Sequence, residues 1–266
     1  LARFDYSRLD EAGATVRLRL NSTVINVANH NGGTRITYVN DGRVLRVKAK
    51  HSVLACWHAV IPHLCPDLPD EQKEAQKYQV KRPLLVTNVL LRDSKAIDKL
   101  DLSGAYCPGR LHGAVWVVKG VDTMGYRHEW DDPGSVPVMF WGSIAPPDST
   151  VPIKEQHRAS RALLLAMTFD DFEREVRTVL AGMLGPAGFD VQDDILAITV
   201  NRWPHGYAYG YLDLWDPAWP EGMAPHEIAR QPYGNITIAN ADAGADAYTQ
   251  VAIDEARRAV GELDAR

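Results

Sequence analysis

The sequence predicts a mixed α+β (α/β) fold built in two parts, one of which draws on both ends of the chain. Three observations carry this. Alternating apolar and polar residues with tight turns run from Val16 to Ala49 and read as a β-meander. An apolar stripe of helical period runs from Phe169 to Leu184. Tyr233 to Leu263 read as a short strand, a loop of small residues and a terminal helix. The meander and this last element read as one domain, and the sheet and helices between them as an insertion.

In order, Val16, Leu18 and Leu20 alternate with Arg17 and Arg19 as a half-buried strand that continues through Thr23–Val27. Asn29–Gly33 is a turn, Ile36 and Tyr38 mark a second strand, Asn40-Asp41-Gly42 a second turn, and Val44–Ala49 a third strand. His51–Cys56 is more continuously apolar and reads as a buried strand. Pro62, Pro66 and Pro69 then break the chain before a polar helix over Asp70–Tyr78. Pro83–Leu91 is a buried strand, and Gly104–Ile144, rich in Gly, Trp and Val, holds several strands of one sheet. Gln156–Ala166 is helical. Thr168, with Asp171 three residues on, caps the helix that begins at Phe169, and Gly185-Pro186 ends it. Ile195–Val200 is a strand, and Asn201–Met223 is aromatic-rich without clear period.

The chain has 266 residues, 45% hydrophobic and 24% charged, as expected of a globular protein of one or two domains. Its net charge of −5 gives no reason to expect nucleic acid and is compatible with a cationic substrate. Cys56, Cys65 and Cys107 form no CxxC pair or zinc pattern, and the histidines are scattered, so no metal is expected. No apolar run approaches the roughly 20 residues that span a membrane. The chain begins at Leu1 in mid-pattern without an initiator Met, and it is expected to be part of a longer protein. Compartment and oligomeric state are not readable.

The terminal element carries the chemistry. Ile236–Ala239 run into a loop of small residues, Asn240–Ala247, and a helix opens at about Thr249. Small residues allow close backbone approach to a ligand, and a helix start offers free N–H groups and partial positive charge. Together they describe a cradle for an anionic or electron-rich cofactor.

Five segments, RLNSTVINV (Arg19–Val27), HSVLACWHAVIPHLCPDLP (His51–Pro69), RPLLVTNVLLRD (Arg82–Asp93), NRWPHGYAYGY (Asn201–Tyr211) and the terminal stretch, carry a family likeness. In this order they resemble the C-terminal half of the flavin-containing amine oxidase superfamily, closest to its spermidine dehydrogenase-like branch. The resemblance implies a fragment of a two-domain FAD-dependent fold. Residues 1–70 and 201–266 would belong to the FAD-binding domain, and residues 71–200 to a substrate domain with a mixed sheet and flanking helices. The family's GxGxxG fingerprint for the FAD pyrophosphate is absent from these residues, so a further segment or chain is expected to supply it.

The resemblance also assigns roles. Thr249, Gln250, Val251 and Ala252, at the helix start, would face the flavin C2 carbonyl, with Val251 standing where the family often has Gly. Asp242 would lie near the ribityl–phosphate chain, with Asn240 in place of a common Gly. Val24 would meet the adenine ring, and Ala55 and Cys56 the same end of the cofactor. Trp203, Tyr209 and Tyr248 would border the flavin and frame a substrate amine, whose cationic form ring faces attract. Tyr207 and Tyr211 are alternatives for the cage. Lys is missing from Leu84–Leu91, where many amine oxidases carry one; Asn88 lies there instead. Asp131, Asp132, Asp213 and Asp216 are candidates for the distal ammonium of a polyamine, and solvated loops are the competing reading. The expected activity is oxidation of a primary or secondary amine to an imine, with polyamines such as spermidine among the candidate substrates. A flavin dehydrogenase of another class, such as a carbon–carbon desaturase, and a non-catalytic aromatic binding module are left open.

Overall fold

A computed structural model describes residues 5–118, 122–123, 126–127, 134–212 and 214–264. The chain divides into two compact units, Asp5–Val80 with Tyr207–Arg266, and Lys81–Gly206.

In the first unit, β1 (Ser22–His30), β2 (Gly33–Asn40) and β3 (Arg43–Ala49) form an antiparallel meander. Both connecting turns, Asn31-Gly32 and Asp41-Gly42, have positive φ at both positions. That is the type I′ geometry, whose twist suits a tight hairpin. The strand expected over Val16–Leu20 does not form, and Val16 and Leu18 are exposed. Alternation specifies a strand only where a neighbour pairs with it; here Arg17 and Arg19 turn back to Asp10 at 2.6 and 2.9 Å. β4 (Ser52–Leu54), α1 (Ile61–Leu64) and α2 (Asp70–Tyr78) follow.

The second unit contains β5 (Arg82–Leu91), α3 (Lys95–Lys99), β6 (Gly104–Tyr106), β7 (Ala114–Val117), β8 (Asp122–Thr123), β9 (Tyr126–Arg127), β10 (Val136–Gly142), α4 (Ile153–Ala166), α5 (Phe169–Leu184) and β11 (Ile195–Gly206). Five of the strands form a sheet in the order β11-β5-β10-β7-β6, and β8 pairs with β9. A mixed sheet is expected here, yet every described pairing in the five-stranded sheet is antiparallel. β5 lies between β10 and β11 and runs opposite to both, so β10 and β11 point the same way and the α4–α5 connection crosses over β5 to join them, with no two parallel strands paired. β11 runs six residues beyond the expected Val200, so Trp203 sits on a strand opposite Leu84.

One face of this sheet is core. Val89, Leu91, Val115, Val138 and Phe140 pack against Val176, Val179, Leu180 and Leu184 of α5, while Leu85 packs with Leu164 of α4 and Phe172 of α5. α5 begins with the expected capping box, Thr168 and Asp171 bonding reciprocally to each other's backbone. The other face carries two cross-strand rows: Thr199, Asn88, Met139 and Trp116, then Asn201, Val86, Trp141 and Ala114. Neither row contains a charged side chain.

The chain then re-enters the first unit with α6 (Pro225–Ala229), β12 (Ile236–Ile238) and α7 (Thr249–Asp264). β12 is wholly buried and pairs in parallel with β4.

Within the second unit His112 is fully buried, its Nε2 2.9 Å from Thr87 Oγ1 and its ring edge-on to Phe140. Burial holds its pKa down at about 4. Below the unfolded value of about 6.5 the unfolded chain takes the proton first, so stability falls with pH between 6.5 and 4. We expect a loss on the order of 3 kcal/mol across that window from this residue. Urea titrations at stepped pH check it, and His112→Asn should flatten the slope there.

Candidate functional site

Each short parallel strand ends in a loop, and side chains join the two loops. Ala239 N donates to Leu54 O at 3.1 Å, continuing the ladder past β12. Asn240 Nδ2 donates to Cys56 O, while its Oδ1 accepts from Ala243 N at 2.8 Å and caps a single 3-10 turn, Ala241–Gly244. Asp242 is 2% exposed and its Oδ2 accepts from His58 N at 3.1 Å. Gln79 Nε2 donates to Asp242 O at 3.1 Å and its Oε1 lies 3.1 Å from His58 Nδ1. These bonds fix the loop backbone on both sides.

Beside this pair lies an apolar cavity of about 290 Å³, lined by Val24, Val27, Ile36, Leu54, Ala55 and Cys56 among others. Its walls suit a flat heterocycle, and Val24, Ala55 and Cys56 are all at its rim or floor. Burial pushes the Cys56 thiol pKa up, so it stays a neutral, apolar wall.

The small-residue loop is small for a packing reason. A Cβ on Gly244 would overlap Val251 of α7, and Ala245 holds a left-handed φ of 51°. Thr249 is the first residue of α7, and Tyr248 O accepts from Ala252 N at 3.3 Å. Thr249 and Gln250 are exposed, Val251 and Ala252 half-buried, and no acidic residue occupies the first turn. The positive end of the helix is therefore not neutralised by its own side chains. Further along, Glu255 is buried between Arg230 at 2.7 Å and Arg258 at 2.8 Å. Arg230 also donates to Ala243 O at 3.0 Å and Arg258 to Ile238 O at 2.6 Å. One carboxylate thus orients two guanidinium groups that hold α7 to β12 and to the loop.

The aromatic segment resolves into two parts. Trp203 lies on β11 in the second unit, 48% exposed. Tyr209 lies in the first unit, 6% exposed, in a cluster with Tyr78, Tyr211, Trp219 and His226. Asp216 accepts from Tyr78 Oη and Tyr209 Oη, both at 2.7 Å, and from Leu212 N at 2.9 Å. Burial, then the bond to Asp216, raises the pKa of both tyrosines, so they remain donors. Burial pushes Tyr211 up to about 12, and its hydroxyl accepts from His226 N at 3.0 Å. Tyr248 is 61% exposed at the start of α7, and Tyr207 is exposed with φ 53°.

Asp216, a candidate for a polyamine ammonium, already takes three donors within the protein. Asp131, Asp132 and Asp213 lie outside the described residues. Among the described residues no three His, Cys, Asp or Glu side chains gather as a metal site, and no helix is long and apolar enough to cross a membrane. His58, Gln79, Tyr78, Arg230 and Glu255 escape sequence reasoning because their partners lie far along the chain. Only Glu255–Arg258, three apart on a helix, carries a local signal.

The profile of the flavin containing amine oxidoreductase family matches residues 6–263, and the chain belongs to that family. Its members are FAD proteins. Among solved structures the chain is similar to a wild-type putrescine oxidase bound to putrescine, at 17% identity and a TM-score of 0.60, over 92% of this chain and 49% of that one. It is also similar to cyclohexylamine oxidase from Brevibacterium oxydans IH-35A, at 14% identity and a TM-score of 0.57, over 90% of this chain and 47% of that one. At these identities the likeness establishes the fold, a fragment of the FAD amine oxidase fold. The chain spans about half the length of the structures it matches. No curated protein sequence matches significantly.

The apolar cavity and the start of α7 fit FAD, since the first offers apolar walls for a flat ring and the second offers helix-start N–H donors for a carbonyl.

Removing Glu255 would leave Arg230 and Arg258 half-buried without their shared anion. We expect Glu255→Ala to cost about 3 kcal/mol or more. Chemical denaturation measures this, and Glu255→Gln should recover part of it.

Proposed function

We propose that this chain is the C-terminal part of an FAD-dependent enzyme that oxidises a primary or secondary amine to an imine, and that the amine is a polyamine such as spermidine, as in the spermidine dehydrogenase-like branch. The observation that carries the reading is the terminal strand, small-residue loop and helix start with no acidic residue in its first turn, in a chain of the amine oxidoreductase family. Residues 1–70 and 201–266 contribute to FAD binding and residues 71–200 to substrate binding. A segment bearing GxGxxG, outside the given sequence, completes the pyrophosphate site.

Val24 bounds the adenine. Asn240 and Asp242 hold the loop that follows the ribityl–phosphate chain. Thr249, Gln250 and Val251 present helix-start N–H groups toward the flavin C2 carbonyl, where the helix dipole favours negative charge, and Ala252, whose N–H is held by Tyr248 O, completes that first turn. The flavin, when bound, supplies the two-electron acceptor for the carbon beside the amine nitrogen. Trp203, Tyr209 and Tyr248 orient the amine, Tyr209 with its ring fixed by Asp216. The amine reacts in its neutral form, and the imine is released to hydrolysis by water.

The flavin-loaded full-length protein should show flavin absorption that bleaches on adding spermidine without oxygen. Tyr248→Ala should lower kcat/KM by about tenfold or more, since ring positioning contributes on that scale. Tyr209→Phe, which keeps the ring, should lose less than Tyr209→Ala. A flavin spectrum that no amine bleaches would falsify amine oxidation.

A further inference from the structure

The face of the five-stranded sheet opposite α4 and α5 has a composition its burial does not require. Trp141 is 37% exposed and lies against Trp116, ring centroids 6.1 Å apart at 48°. Asn88 and Thr199 are exposed at neighbouring positions on β5 and β11. Asn201 Nδ2 donates to Val86 O at 3.2 Å, which leaves its Oδ1 as the outward acceptor. One exposed and one half-buried indole and a set of amide and hydroxyl oxygens, without a carboxylate or a cation in either row, make a neutral surface of negative potential. Such a surface complements an ammonium group.

Trp203 shares this face, one row beyond Asn201 on β11. Trp141 is two strands across and one row along from it. Strand spacing and rise place the two backbones about 12 Å apart. That separation suits a long polyamine with its reacting nitrogen at the Trp203 end, and exceeds the reach of a short diamine. Asp216, the carboxylate in the described aromatic segment, is occupied by Tyr78, Tyr209 and Leu212 N.

Resting on the amine-oxidising reading above, we propose that Trp141 and Trp116, with the amide oxygen of Asn88 on the neighbouring strand, bind the distal ammonium of a long polyamine and so set substrate length. The cation is held by ring faces and a neutral oxygen in place of a carboxylate. This contact is remote from the reacting carbon and equal in ground and transition states, so it acts on KM more than on kcat.

The test uses the flavin-loaded full-length enzyme and compares spermidine with butylamine, which has no second nitrogen. In the parent enzyme spermidine is expected to be the better substrate. Trp141→Leu should lower the spermidine-to-butylamine ratio of kcat/KM by about tenfold, mainly through KM, and Trp141→Phe should fall between. Asn88→Leu, close in size but without the oxygen, should lower the same ratio. Thermal unfolding shows whether each variant is folded; if Trp141→Leu is not, Trp116→Leu and Asn88→Leu carry the test. A ratio that stays within about twofold in the folded variants overturns the distal site while amine oxidation stands. So does an equal loss for both substrates. If the parent enzyme bleaches with no amine, the underlying reading fails and this one with it.

Discussion

The first unit depends on the parallel pairing of β4 with β12, two three-residue strands far apart in sequence. Backbone bonds alone would give such a short pair little stability against the entropy of closing the long loop between them. Side chains from the following loops make up the difference. Asn240 reaches Cys56 O, Asp242 takes His58 N, and Arg258 of α7 reaches Ile238 O. The groups that stabilise the pairing are therefore the same ones that shape the small-residue loop and aim the start of α7. Fold stability and the shape of the loop before α7 share one set of bonds here, so changes to Asp242 or Glu255 act on both.

The second unit is organised by a different constraint. Its antiparallel sheet buries one face under α4 and α5, and the apolar residues on that face follow strand alternation closely. The same alternation sends Asn88, Thr199, Asn201, Met139, Trp116 and Trp141 to the other side. Asn88, an oddity on an apolar strand when read linearly, is ordinary once the strand has two faces with different surroundings. Trp203 joins that set because β11 extends past the point where its apolar pattern fades.

The aromatic stretch after Asn201 illustrates how similar residues take different roles. Trp203 is an exposed strand residue, Tyr209 a buried ring anchored through its hydroxyl, and Tyr207 an exposed residue with positive φ. Asp216 separates these roles: by accepting from two tyrosines and a backbone amide it gathers Tyr78 and Tyr209 at one place.

Taken alone, the sequence determined what local physics decides. Asn-Gly and Asp-Gly pairs set the meander's turns, the Thr168–Asp171 box set the start of α5, and the helical apolar stripe set its buried face. It also exposed the strand, small-residue loop and helix start at the C-terminus, because those are contiguous. What only the tertiary structure decided depends on residues distant in the chain. The Val16–Leu20 alternation has no pairing strand and turns to Asp10. The sheet is antiparallel because β5 sits between β10 and β11. His58, Gln79, Tyr78 and Arg230 become part of the site only through partners that sequence spacing does not reveal. Local propensity acts over a few residues, whereas burial of a polar group and its obligatory partner is settled only when the whole chain has packed.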